Sequence, residues 1–183
     1  AQLHSGEAKQ LAAETYRNPA QEGRELLEAA LATFQELSEK YSDYLPGALA
    51  LLSRAQVQQA LGKHADALDS YQRVLEHDSV DPLRPARMQA TVGLIELRLA
   101  SDPPQIDEAI AQAEPILTTA RPNEKSTPEY AGLQVALAKA HFAAADRAQA
   151  AGKPADARRS TSAARPLLTA ASKIPGDHEA DAR

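Results

Sequence analysis

Along this chain a small residue, a bulkier one and a further apolar or small one recur at spacings of four and then three. The sets are Ala30, Phe34, Leu37; Ala67, Tyr71, Val74; Ala109, Ala113, Ile116; and, more faintly, Ala157, Thr161, Ala164. Spacings of four and three place each set on one helical face. The sets recur at intervals of 37, 42 and 48 residues, which points to stacked helical hairpins, units that cannot bury an apolar face without neighbours.

The punctuation predicts helices over 5–16, 19–40, 47–61, 64–77, 82–100, 104–120, 128–151 and 154–172, which makes four antiparallel pairs. Asn18-Pro19-Ala20-Gln21 supplies an N-cap, a first-turn proline and a glutamine able to reach back to the cap. Asp102-Pro103-Pro104-Gln105 repeats that logic, and Asp81-Pro82 and Thr127-Pro128 are shorter versions.

The best-defined pair runs from Ala48 to Asp78. Ala55 precedes Ala67 by twelve residues, small residues at both let two backbones approach, and Gly62 supplies a permissive turn between them. Here Leu51, Ala55, Gly62, Ala67, Tyr71 and Val74 fall on the spacing of the tetratricopeptide repeat (TPR) family, with Asp81-Pro82 slightly later than that family's closing proline. The chain resembles that family over roughly 20–170, most strongly over 47–117. In the next pair Gly93 stands for the small residue, and sixteen residues separate it from Ala109, so the turn through Ser101-Asp102-Pro103-Pro104 is longer than the family's.

The resemblance implies an all-α fold, a right-handed superhelix of about four antiparallel pairs forming a single domain over 1–173, with 174–183 as a flexible tail. It also implies a non-enzymatic scaffold whose concave face, lined by first helices, binds a peptide or helix of a partner. On this sequence that face comprises Leu49, Leu52, Gln56 and Gln59, then Arg87, Ala90, Leu94 and Leu97. The spacing of Leu52, Leu94 and Leu97 suits core positions equally well, which leaves Gln56, Gln59 and Arg87 as the better surface markers. Members that grip a C-terminal carboxylate use Lys, Arg and Asn on concave helices, whereas Asn18 and Asn123 both fall in predicted loops; carboxylate capture is not expected.

A second internal echo sits at an offset of 51 residues. Ala113-Glu114-Pro115-Ile116-Leu117-Thr118 resembles Ala164-Arg165-Pro166-Leu167-Leu168-Thr169, and Pro103 and Pro154 share the offset. Pro115 and Pro166 each remove one helical hydrogen bond, which predicts bends in two second helices.

Composition agrees with helix-on-helix packing. There is no Cys or Trp, aromatics make up 4% of the chain, and alanine abounds, so close backbone contact replaces a thick aromatic core. No apolar run approaches the roughly 20 residues needed to cross a bilayer, so direct membrane insertion is not expected. The chain opens on Ala1-Gln2 without a signal-peptide pattern, so a removed leader or anchor, or excision from a longer chain, is the expectation. The segment Phe34 to Pro46 is similar to TPR proteins of the bacterial envelope, which leans the location towards the cell envelope.

Charge is uneven. Residues 1–120 carry a net of −8, residues 121–173 a net of +5 and the remainder −2, giving the overall −5. An acidic beginning and a basic end suit head-to-tail stacking or a partner of uneven charge, so the second reading is a structural subunit of a larger assembly that associates through its charged ends. Arg158, Arg159 and Arg165 form the densest basic group but lack interleaved aromatics, and nucleic-acid binding is not expected.

Nothing resembles a catalytic constellation. The five histidines are scattered, no cysteine completes a zinc set, and the glycines are isolated rather than gathered in a phosphate loop. Asp107-Glu108 lie in a first helical turn, where carboxylates favour the dipole. No catalytic residue, metal or cofactor is expected.

Overall fold

The computed structural model describes residues 2–77 and 80–175. Those residues are helical, without strands: α1 (Gln2–Glu14), α2 (Pro19–Glu22), α3 (Arg24–Lys40), α4 (Leu45–Ala60), α5 (His64–Glu76), α6 (Arg84–Leu99), α7 (Ile106–Thr118), α8 (Pro128–Ala150) and α9 (Pro154–Ala171). A 3-10 turn at Asp81–Leu83 leads into α6. Of the predicted tail 174–183, Ile174 is buried and Pro175 exposed, and residues 176–183 lie outside the described residues.

The chain divides into two compact units, Ala1–Ala90 and Thr91–Arg183, so the division falls inside α6. In the first, α3 packs on α1 and α4, and α4 packs on α5. Ala30, Phe34 and Leu37 are buried as their spacing predicts, and Ala30 and Phe34 join Ala13, Leu27 and Val57 in one cluster. In the second unit α8 packs on both α7 and α9. Residues 130–138 of α8 are buried throughout, which is why this helix shows no clear apolar stripe.

The repeat face is buried throughout the α5 set, Ala67, Tyr71 and Val74, and loosens later. Ala109 and Ala113 are fully covered while Ile116 is half-buried, and Thr161 is half-buried between covered Ala157 and Ala164. Three of the four expected pairs, α1 with α3, α4 with α5 and α8 with α9, are packed hairpins. For the remaining pair, Arg98 of α6 donates to the Glu108 carbonyl of α7 at 3.2 Å.

Helix starts are where the sequence misleads. The segment expected to run from 19 to 40 breaks at Gly23, and Asn18 makes no capping hydrogen bond. The third-pair helix begins at Ile106 rather than 104, with Gln105 at the N-cap position but making no side-chain capping bond; Pro103 precedes another proline, which holds it out of the helical region. Thr127-Pro128 behaves as predicted, with Thr127 Oγ1 accepting from the Tyr130 amide at 3.3 Å. Both Pro115 and Pro166 lie within their helices.

Two hairpins close with the same turn. Gly62 and Gly152 have φ of +73° and +68°, the left-handed region that favours glycine. After α4, the Lys63 amide donates to the Gln58 carbonyl at 2.8 Å and Gly62 to Gln59 at 2.9 Å; after α8, Lys153 donates to Ala148 at 2.9 Å and Gly152 to Gln149 at 3.1 Å. Both are Schellman closures, which satisfy carbonyls that a helix end would otherwise strand. The sequence shows the same kinship, since Gln-Ala-Leu-Gly-Lys-His-Ala-Asp-Ala from Gln59 recurs as Gln-Ala-Ala-Gly-Lys-Pro-Ala-Asp-Ala from Gln149, ninety residues later.

Candidate functional site

Of the residues predicted to face a partner, three converge. Leu49, Leu52 and Gln56 are spaced three and four apart on α4 and line one groove of about 390 Å³ in the first unit. Its other wall is α1, through Leu3, Glu7, Gln10 and Leu11, with Gln89 of α6 at one side. Leu52 forms floor at 6% exposure, whereas Leu11 on the rim is 62% exposed. The surface is therefore an apolar trough edged by amides, the Ser53 hydroxyl and one carboxylate.

The remaining predicted residues lie elsewhere. Gln59 is half-buried and accepts the Tyr71 hydroxyl at 2.8 Å. Arg87 donates from Nη1 to two carbonyls at the end of α5, those of Leu75 and His77, the latter at 2.8 Å. Desolvation, and secondarily the neighbouring Arg84 charge, press its pKa below the ordinary arginine value. The half-buried guanidinium thus serves a helix terminus that has no C-terminal glycine. Ala90, Leu94 and Leu97 are buried at 0%, 0% and 5% exposure, because apolar residues on this spacing are drawn into a core. Their side chains offer a partner almost no area.

The α1 wall is what sequence reasoning missed. The predicted opening helix begins at residue 5 and leaves out Leu3, yet Leu3, Glu7 and Leu11 recur at spacings of four, with Gln10 three beyond Glu7, and so share a face. That spacing was a legible signal, masked by the polar residues between.

The second unit holds a larger groove of about 590 Å³ over α8, floored by Ala144, Ala148 and Ala151 and walled by Ile110 of α7 and Ala163 of α9. Across its edge Arg147 of α8 makes a two-pronged pair with Asp107 of α7, at 2.6 and 3.0 Å. Those hydrogen bonds hold the Asp107 carboxyl below the usual carboxylate pKa, against slight desolvation. Both side chains are more than half exposed, so the pair orients α7 on α8 and adds little stability. His141 lines the same groove with its pKa pressed down by burial, an effect that the Glu114 charge opposes.

No cluster of His, Cys, Asp and Glu suited to a metal occurs among the described residues, and no helix among them is long and apolar enough to cross a membrane. No family model, no curated protein and no solved structure matches the chain.

Proposed function

We propose that this protein is a non-enzymatic interaction scaffold of TPR-like solenoid character, which holds a peptide or helix of a partner protein in the trough between α1 and α4. The observation that supports this reading is the convergence of Leu3 and Leu11 with Leu49, Leu52 and Gln56 on one groove. Leucines from two helices leave a slot for apolar anchors spaced by a helical turn, and the flanking amides of Gln10 and Gln56 suit a partner's polar edge. Paired helices over much of the chain and the buried Ala30, Phe34 and Leu37 and Ala67, Tyr71 and Val74 sets fit the solenoid.

The test is recovery of partners with the native chain and with a Leu11→Glu, Gln56→Ala double variant, followed by direct titration of each purified partner. Leu11 is exposed, so the variant should fold as the parent does. Partners that bind the parent at least tenfold more tightly than the variant support the trough. Partners that bind both equally overturn it.

A structural subunit that associates through its ends is the second reading, supported by the opposite charges of residues 1–120 and 121–173. It requires oligomers at low ionic strength that dissociate as salt is raised. A salt-independent monomer overturns it.

A further inference from the structure

The two hairpins that share a turn differ at one position that changes what they can hold. On the α4–α5 hairpin, Tyr71 lies four residues beyond Ala67, is 3% exposed and donates its hydroxyl to Gln59 Oε1 at 2.8 Å. Ninety residues later the register gives Gln149 for Gln59, Ala157 for Ala67 and Thr161 for Tyr71. The acceptor is kept and the ring is gone. Thr161 turns its hydroxyl back to the Ala157 carbonyl at 2.9 Å, and Gln149 is exposed.

Where the ring is lacking there is a cavity of about 510 Å³, lined by Gln149, Pro154, Ala157 and Thr161 with Arg158 and Arg165 beside them. Both arginines are exposed, and neither guanidinium has an ion-pair partner among the described residues. Asp156, the nearest acidic residue in sequence, is turned to Arg159 at 3.6 Å instead. The pocket thus combines apolar Pro154 and Ala157, an amide at the sequence position of the one that accepts the Tyr71 phenol, and two cations without an ion-pair partner among the described residues.

We propose that the α8–α9 hairpin receives a tyrosine side chain from an acidic segment of a partner protein, in the place that Tyr71 fills from within on the α4–α5 hairpin. The incoming ring covers Ala157 and Pro154, its hydroxyl donates to Gln149 Oε1, and carboxylates flanking it in sequence pair with Arg158 and Arg165. Shape alone admits any apolar side chain. The amide selects the phenol, and the arginines select the acidic context. This site is separate from the α1–α4 trough and stands or falls independently of it.

The test is fluorescence anisotropy of a labelled peptide with two glutamates on each side of a tyrosine, against the full chain, with phenylalanine and alanine counterparts. The tyrosine peptide should bind, the phenylalanine peptide roughly fivefold more weakly and the alanine peptide more than tenfold more weakly. Thr161→Tyr should abolish binding, because the chain's own ring then occupies the pocket, while its thermal melt remains as high as the parent's. Thr161→Ser should bind as the parent does. Arg158→Glu with Arg165→Glu should weaken binding and flatten its salt dependence. No binding to the parent, equal binding of the three peptides, or full binding to a folded Thr161→Tyr variant would each overturn the proposal. So would self-association that competes with the peptide and disappears in Tyr44→Ser, since Tyr44 is 67% exposed beside Asp43; that result would give the pocket to a second copy of the chain.

Discussion

Ser70 on α5 donates its hydroxyl to Gln58 Oε1 on α4 at 2.7 Å, with the two residues 1% and 4% exposed. A buried acceptor that loses its donor pays the full desolvation penalty. Ser70→Ala should therefore destabilise the protein by about 1–3 kcal/mol in urea denaturation. The double variant Ser70→Ala, Gln58→Leu removes both partners and should recover much of that loss. A double variant as unstable as the sum of its parts would show that packing, and not the hydrogen bond, links the two helices here.

Gly47 is needed where α4 begins. A Cβ there would fall 1.9 Å from the Tyr41 carbonyl oxygen, a backbone atom that cannot swing aside. Intrinsic helix propensity favours alanine over glycine by about 1 kcal/mol. Gly47→Ala should nevertheless lose about 2 kcal/mol or more, because the α3–α4 turn must shift. A thermal melt equal to or above the parent's would contradict this packing.

Gly62 and Gly152 present a different case, since a Cβ at either would meet nothing within 4 Å. Only their positive φ resists a side chain. Alanine at each should cost about 1 kcal/mol, and asparagine, which tolerates the left-handed region, less. Equal costs at both sites would follow from their shared geometry. Melts of the four single variants decide the matter.

His141 makes stability depend on pH in a calculable direction. Burial lowers its folded pKa below the unfolded value, despite the opposing Glu114 charge. The unfolded chain then binds the proton first as pH falls, so the stabilising preference for neutral His141 is complete above the ordinary histidine pKa of about 6.5 and is lost as pH drops through the lower folded value. Replacing His141 with glutamine should flatten the fall in melting temperature between pH 7 and 5, relative to the parent. An unchanged slope would mean that His141 titrates as a solvated group.

How far the fold was legible follows from how local each signal is. The Ala30, Phe34, Leu37 and Ala67, Tyr71, Val74 faces are set by spacing alone, and both proved buried. Thr127 caps as its sequence suggests because a cap spans four residues. Asp102 does not, since Pro104 acts on Pro103 and delays the helix to Ile106. The trough was half legible: α4 gave Leu49, Leu52 and Gln56, but only tertiary packing brings α1 opposite them. The contacts of Arg87 were not legible, because the carbonyls it serves lie ten and twelve residues earlier and meet it only through tertiary packing. The ninety-residue kinship of the two turns is present in the letters, but it lies in the turns and not on the helix faces whose spacing carries the repeat.

The Arg87 bond to the end of α5 has a temporal consequence. As the chain emerges from the ribosome, α5 is complete at Glu76 while the carbonyls of Leu75 and His77 still lack the donor that serves them. They must borrow water until the first turn of α6 arrives. The last turn of α5 is accordingly one part of this hairpin whose order waits on residues not yet synthesised, and a stall between the two would leave those carbonyls to water.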